Sequence, residues 1–281
     1  MEVFRITADG LKSDVKIRDY LKRIGFSTSL IGEVKYDNVL LNGRPVHMRE
    51  PVKNGDLIEV HFPILDSEGI EPIDIPIDVL FEDEHILVVN KPTNMPIHPS
   101  RGNSLPTLAN AVRAYIGEPF VFRCITRLDR DTSGIVLIAK HRLSAARLSG
   151  DMKAGGFEKT YVARVVGEPL PPCGRIDAPI ERAAEGEMKR TVRPDGKPSV
   201  TDYENLSVDA FGNTLVRLKL LTGRTHQIRV HMAYIGHPLY NDFLYGERVE
   251  EGTYRLHCEK LVLKHPFSGE MLTIICKNED I

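Results

Sequence analysis

The sequence predicts an α+β fold: an antiparallel-rich mixed sheet with peripheral helices, preceded by a small separate unit. Apolar runs of strand length dominate from about residue 78 onwards, and helical spacing appears only between some of them. Strand and helix do not alternate as a parallel βαβ sheet requires. An acidic stretch containing Pro72 and Pro76 interrupts the apolar pattern at 64–76 and divides 1–63 from 77–281.

Within the first unit, Ile17, Leu21 and Ile24 stand at helical spacing, and a second short helix fits 29–35. Asn42-Gly43 centres a hairpin over 40–46, and the turn Asn54-Gly55-Asp56 leads into a strand over 57–60. After the linker, strands at 79–81 and 85–89 pair around Glu82-Asp83-Glu84, and 108–116 reads as a helix. A strand over 135–139, a helix over 144–152 and a long strand over 159–166 follow. Later strands fall at 200–206, 214–220, 255–263 and 271–276. Between the second and third of these, a helix starts near 222–225, with Ile228, Met232 and Ile235 as its core-facing stripe.

Composition bounds the function. At 281 residues, 42% of them hydrophobic and 27% charged, the chain can bury an ample core without disulfides or metal. The start MEVFRITADG has no basic and then apolar leader, and no apolar run approaches the roughly 18 residues of a membrane span, so a cytoplasmic location is expected. Cys124, Cys173, Cys258 and Cys276 are scattered without a C-x-x-C pair, which points to reduced, structural thiols. A net charge of −2 argues at first against a nucleic-acid partner, but its distribution matters more. Residues 54–90 hold ten acids and no Lys or Arg, whereas 214–241 hold four basic residues, three histidines and no acid. An electropositive cleft away from an acidic connector is the expectation.

The most informative run is TRLDRDTSGIVLIAK at 126–140. Asp129 lies between Arg127 and Arg130 on a loop that enters a buried apolar strand, a rigid mount for a catalytic group. Flanking guanidinium groups favour the ionised carboxylate that a nucleophile or base needs. The structural alternative is an Asp-capped turn beside surface arginines. Asp131 is the competing acid, with a loop or N-cap role expected. His226 and Arg229 share a helix face, while His226 and His231 are rotated apart by roughly 140°, which argues against a zinc site.

Arg127-Leu128-Asp129-x-x-Thr132-Ser133-Gly134 before a strand resembles the signature of the RluA family of pseudouridine synthases. Four further ordered blocks extend the resemblance over about 78–276: Asn90-Lys91-Pro92 with Pro96-Ile97-His98-Pro99; EKTYVA at 158–163; LTGRTHQIRVH at 221–231 with Gly236-His237-Pro238; and His257 with Lys264-His265-Pro266. One departure is Thr126, where the family usually has His, so any role of that imidazole does not carry over.

The resemblance implies the pseudouridine synthase fold, a long bent sheet with the active cleft across its middle. It implies isomerisation of uridine in RNA without cofactor or metal. Asp129 would act as nucleophile or as base at the ribose, Arg229 would pair with it, and Tyr161 would pack against the uracil. Arg127 would enter the space left by the flipped nucleotide. Lys91 and His98 would shape the cleft, and Arg130, Arg224 and His226 complete the expected RNA-binding set. Residues 12–62 resemble the alpha-L RNA-binding module, with Arg18, Arg23, Lys35 and Arg44 as its candidate contacts. A monomer acting on structured RNA, ribosomal or else transfer RNA, is therefore expected. Two alternatives stay open: a non-catalytic RNA-binding or ribosome-assembly protein on the same scaffold, and a carboxylate-dependent nucleoside or glycoside hydrolase, which would need a second positioned acid.

Overall fold

The computed structural model describes residues 2–34, 38–67, 69–100, 106–117, 119–169, 171–278 and 281. The first unit contains β1 (Glu2–Thr7), β2 (Val15–Lys16), α1 (Ile17–Arg23), α2 (Thr28–Gly32), β3 (Val39–Leu41), β4 (Arg44–Pro45), β5 (Pro51–Val52) and β6 (Leu57–Phe62). Its sheet runs β1-β6-β3-β4, and β2 pairs with β5. Positive φ at both Asn42 (52°) and Gly43 (79°) gives the hairpin turn that matches strand twist. Ser27 caps α2 by accepting the Leu30 N–H at 3.1 Å. That helix ends at Gly32, short of the expected 35, and Lys35 itself falls outside the described residues. Strand β1 was not anticipated, because its Phe4 and Ile6 are only partly buried and the pattern is short.

Residues 64–76 have no regular secondary structure among those described, yet they are not a free tether. Ile70 is buried in the main core. Ser67 takes the Phe122 N–H on its Oγ at 2.9 Å, and Asn110 donates to the Glu71 carbonyl at 2.7 Å. Arg113 donates to the carbonyls of Ser67 and Ile70 and pairs with Asp66. Asp66 thus serves a buried arginine, while Glu71 and Asp74 stay exposed.

The larger part contains β7 (Asp78–Glu82), β8 (Ile86–Lys91), α3 (Leu108–Ile116), β9 (Arg123–Cys124), β10 (Ser133–Ala139), α4 (Arg142–Lys153), β11 (Glu158–Val165), β12 (Cys173–Asp177), β13 (Ile180–Arg182), β14 (Arg190–Val192), β15 (Val200–Val208), β16 (Thr214–Leu220), α5 (Gln227–Tyr234), β17 (Leu256–Lys264) and β18 (Met271–Ile275). Ten of these strands form one sheet with the path β12-β15-β16-β11-β17-β10-β8-β7; β18 joins β17 and β9 joins β10. Every pairing in it is antiparallel except β10 with β17, which run parallel at Ser133–His257 and Gly134–Cys258. Strands β8 and β10 are buried almost continuously, so their sequences read as apolar runs without alternation. The hairpin β13–β14 stands outside the main sheet. It and β12 escaped sequence reading because they are short and bury only Ile176 and Ile180 between them.

The two parts meet on α4. Leu143, Ala146 and Phe267 pack into the apolar cluster of the first unit. Arg142, nearly buried, pairs with Glu33 and Glu2, and Arg147 donates to the Ile24 and Pro266 carbonyls at 2.8 Å each. No helix among the described residues is long and apolar enough to cross a membrane.

Candidate active site

The loop bearing Asp129 is fixed from both ends. Gly134 has a φ of +107°, and a Cβ there would lie 2.4 Å from the Cys258 carbonyl oxygen. Only glycine therefore lets β10 and β17 approach this closely. The preceding Ser133 Oγ meets His257 Nδ1 at 2.9 Å, and Thr132 Oγ1 meets Tyr254 Oη at 3.1 Å. Beneath the loop, the fully buried Lys91 donates to the carbonyls of Pro92, Met95 and Arg130 at 2.8, 2.9 and 3.0 Å. Burial pushes Lys91 down to about 7, against the opposing pull of Asp131 and Asp129. Thr93 adds a bond to the Asp131 carbonyl at 2.9 Å. Thr126 is buried and its Oγ1 accepts the Leu137 N–H at 2.9 Å, so at this position the side chain completes the backbone bonding of β10.

Asp129 itself is 30% exposed. Arg229 Nη1 and His226 Nε2 both lie 3.9 Å from its Oδ2, on one side of the carboxylate. The direct partner of Arg229 is a different acid: Asp242, wholly buried, accepts from Nε and one Nη at 2.7 Å each. Burial works against the Arg229 charge, but the bonds to Asp242 outweigh it and hold its pKa above the ordinary arginine value. The guanidinium also sits 4.3 Å from the Tyr254 ring centre and 4.9 Å from that of Tyr245. Tyr161 on β11 is 5% exposed, and burial, with Cys258 and Asp129 adding to it, keeps its phenol well above the usual range.

Helix α5 starts later than expected. Gln227 is its first residue, and His226 precedes it in the left-handed region with a φ of 57°. The imidazole thereby leaves the helix face on which the sequence put it and turns towards Asp129. His231 lies inside the helix with both ring nitrogens engaged, by Thr201 Oγ1 at 2.8 Å and the Ala178 carbonyl at 2.9 Å. Among the described residues, no three His, Cys, Asp or Glu side chains are grouped to hold a metal ion.

Asp129, Arg229 and His226 are thus brought together, with Lys91 under the loop instead of on the cleft wall. Arg127 is exposed and forms no salt bridge with a described residue, while Arg130 makes a bidentate pair with the buried Asp131 at 2.8 and 2.9 Å. That pair occupies Asp131. His98 is exposed near Phe122, and Arg224 is exposed with Nε donating to the Pro198 carbonyl at 3.1 Å. Arg18, Arg23 and Arg44 are exposed on the first unit. Sequence reading missed Asp242, Tyr245 and Tyr254, which follow α5 in a turn-rich segment without periodicity; only the polar Asn241-Asp242 pair before Tyr245-Gly246 hinted at an ordered turn.

A family model described as RNA pseudouridylate synthase matches residues 85–234. The chain is 41% identical over 262 residues to an uncharacterized RNA pseudouridine synthase, YjbO, of Bacillus subtilis (strain 168), covering 90% of this chain and 92% of that protein. It is 36% identical over 264 residues to the ribosomal large subunit pseudouridine synthase D of Escherichia coli (strain K12), covering 87% of this chain and 80% of that one. Among solved structures, human RNA pseudouridylate synthase domain containing 1 superposes with a TM-score of 0.62 at 27% identity, over 77% of this chain and 88% of that one.

Proposed function

Since the chain belongs to the RNA pseudouridylate synthase family and is an isomerase that converts uridine to pseudouridine in RNA, we propose that Asp129 is its essential carboxylate and ribosomal RNA its substrate. The reaction breaks the N-glycosidic bond, turns the uracil and joins its C5 to the ribose. Atoms and electrons balance without an external reactant. Such chemistry needs one well-placed carboxylate, an environment that keeps it ionised, and a pocket for a base taken out of the stack.

The observation that carries the assignment is the convergence of Arg229 and His226 on one Asp129 oxygen, 3.9 Å from each. Oδ2 takes the positive field, and Oδ1 is left to act at the ribose. Tyr161, a buried neutral phenol beside β17, would bound the uracil on one side. Arg127, exposed and without a salt bridge to any described residue, would enter the stack in place of the flipped nucleotide. Arg130, Arg224 and His98 would meet phosphates and sugars around the cleft, and the alpha-L-like unit, through Arg18, Arg23 and Arg44, would add affinity in the cytoplasm.

The ribosomal assignment rests on the relatives named for large-subunit modification. The test is isomerisation of uridine-labelled RNA by Asp129→Asn and Asp131→Asn, with pseudouridines mapped in cells with and without the protein. Turnover should fall by about 10^4-fold or more for Asp129→Asn and far less for Asp131→Asn. Substantial activity in the Asp129 variant would overturn the assignment, and altered sites confined to transfer RNA would overturn the substrate.

A further inference from the structure

His226 has two nitrogens, and which one carries the proton decides what it offers Asp129. Its Nδ1 lies 2.8 Å from Tyr245 Oη. That same Oη accepts the backbone N–H of Arg190, on β14, at 2.9 Å. The phenol has one hydrogen to give. With no other acceptor among the described residues within hydrogen-bond distance, donation to His226 Nδ1 is the arrangement that uses this hydrogen, and it leaves the ring's own proton at Nε2. Nε2 is the atom turned to Asp129.

Two further features fit a device built for orientation. His226 holds a left-handed backbone at the start of α5, a conformation strained for a non-glycine residue and kept only where the surroundings impose it. The turn that carries Tyr245 is tied to Asp242, whose Oδ1 accepts the N–H groups of Leu244 and Tyr245 at 3.1 and 3.3 Å. One buried acid therefore fixes both Arg229 and the residue that orients His226. Burial lowers the His226 pKa, Asp129 and Asp242 oppose this and Arg229 and Arg190 reinforce it, so the neutral ring, for which the tautomer matters, prevails near pH 7.

We propose that Tyr245 is a positioning residue that fixes His226 as the Nε2–H tautomer aimed at Asp129, and that through Arg190 it ties this imidazole to the hairpin β13–β14. The proposal rests on the reading of Asp129 as the essential carboxylate. Hairpin β13–β14 presents the exposed cations Arg182 and Lys189, suited to RNA phosphate, while Arg190 pairs with Glu181, so RNA held by this arm would brace the imidazole.

The experiment combines nitrogen-15 NMR of the imidazoles in the full chain, assigned by the signal lost in His226→Asn, with single-turnover isomerisation of RNA. Wild type should show His226 protonated at Nε2 alone, and Tyr245→Phe a mixture of tautomers. In Tyr245→Phe the rate at saturating RNA should fall on the order of 10-fold with KM little changed. In the His226→Asn background the same change should add no more than about twofold. A wild-type ring protonated at Nδ1, or an undiminished Tyr245→Phe effect without His226, would overturn the proposal. The tautomer should persist in Asp129→Asn. An active Asp129→Asn protein would sink the catalytic reading by itself, whereas wild-type rates in Tyr245→Phe and His226→Asn would sink only the positioning role.

Discussion

Asparagine at position 242 keeps the size of the native side chain and removes its charge. Arg229 and Asp242 have side chains only 5% and 0% exposed, and their two bonds of 2.7 Å are the main compensation for burying a guanidinium. In either orientation an asparagine NH2 faces an Arg229 donor: in place of Oδ2 it meets Nε, and in place of Oδ1 it meets the other nitrogen of the fork together with the Leu244 and Tyr245 N–H groups. Asp129, 3.9 Å away and partly solvated, makes no direct hydrogen bond that would compensate. Leaving a buried charge unpaired costs about 3 to 5 kcal/mol. For a chain of this size that corresponds to a fall in Tm on the order of 10 °C. Urea titration of wild type, Asp242→Asn and Asp129→Asn measures it, with equal slopes confirming comparable unfolding. Asp129→Asn should stay within about 1 kcal/mol of wild type, because its carboxylate is exposed enough for water to replace what it loses. A loss below about 1 kcal/mol in Asp242→Asn would refute the argument that this acid pays for burying Arg229.

Arg229→Lys keeps a charge but not the fork that spans both Asp242 oxygens, so the isomerisation rate should fall by about 10^2-fold or more with RNA affinity little changed; equal losses in both would mark Arg229 as a phosphate contact. Gly134→Ala puts a methyl 2.4 Å from the Cys258 carbonyl oxygen, and should cost about 3 kcal/mol or more in urea together with activity; a stable, active alanine variant would contradict the close approach. Lys91 is held down to about 7, whereas unfolded lysine titrates near ~10.4, so the unfolded chain binds the extra proton between those values. Stability should therefore rise with pH from about 7 towards ~10 in wild type, and that contribution should vanish in Lys91→Met; parallel curves for the two proteins would count against it. Deleting residues through Phe62 uncovers Leu143 and Phe267 and unpairs Arg142, so the remainder should lose about 2 to 4 kcal/mol as well as RNA affinity and part of its salt dependence; an unchanged urea midpoint would show that α4 does not depend on the first unit.

The elements legible in the sequence are those whose burial is one-sided or complete. Helix α3 over Leu108–Ile116 and strand β16 over Thr214–Leu220 fall where periodicity puts them, because each buries a defined set of apolar residues. Hairpin β13–β14 does not, since its strands are three residues each and bury only Ile180. At the site, Asp129 and Arg229 were legible because they stand in dense local motifs. Asp242 and Tyr245 were not, because their partners lie 13 and 19 residues away and the contact exists only once the chain has turned back over α5. The stretch 64–76 reads as an acidic, proline-containing connector, and its tie to Arg113, 47 residues from Asp66, exists only once the chain has folded.

The arrangement around Arg229 leaves Asp129 beside a cation without being bound by it. The nearest Arg229 nitrogen stands 3.9 Å from Asp129 Oδ2, a charge–charge contact that solvent screens at a side chain 30% exposed. Were Asp129 the only acid near Arg229, the guanidinium would close on it as a bidentate pair and occupy both oxygens. Asp242 prevents this by holding the fork from the opposite side at 2.7 Å. Its field reaches Asp129 while its hydrogen bonds go elsewhere. One acid thus satisfies the arginine so that the other need not, and a chain with a net charge of −2 keeps a cation beside the Asp129 carboxylate.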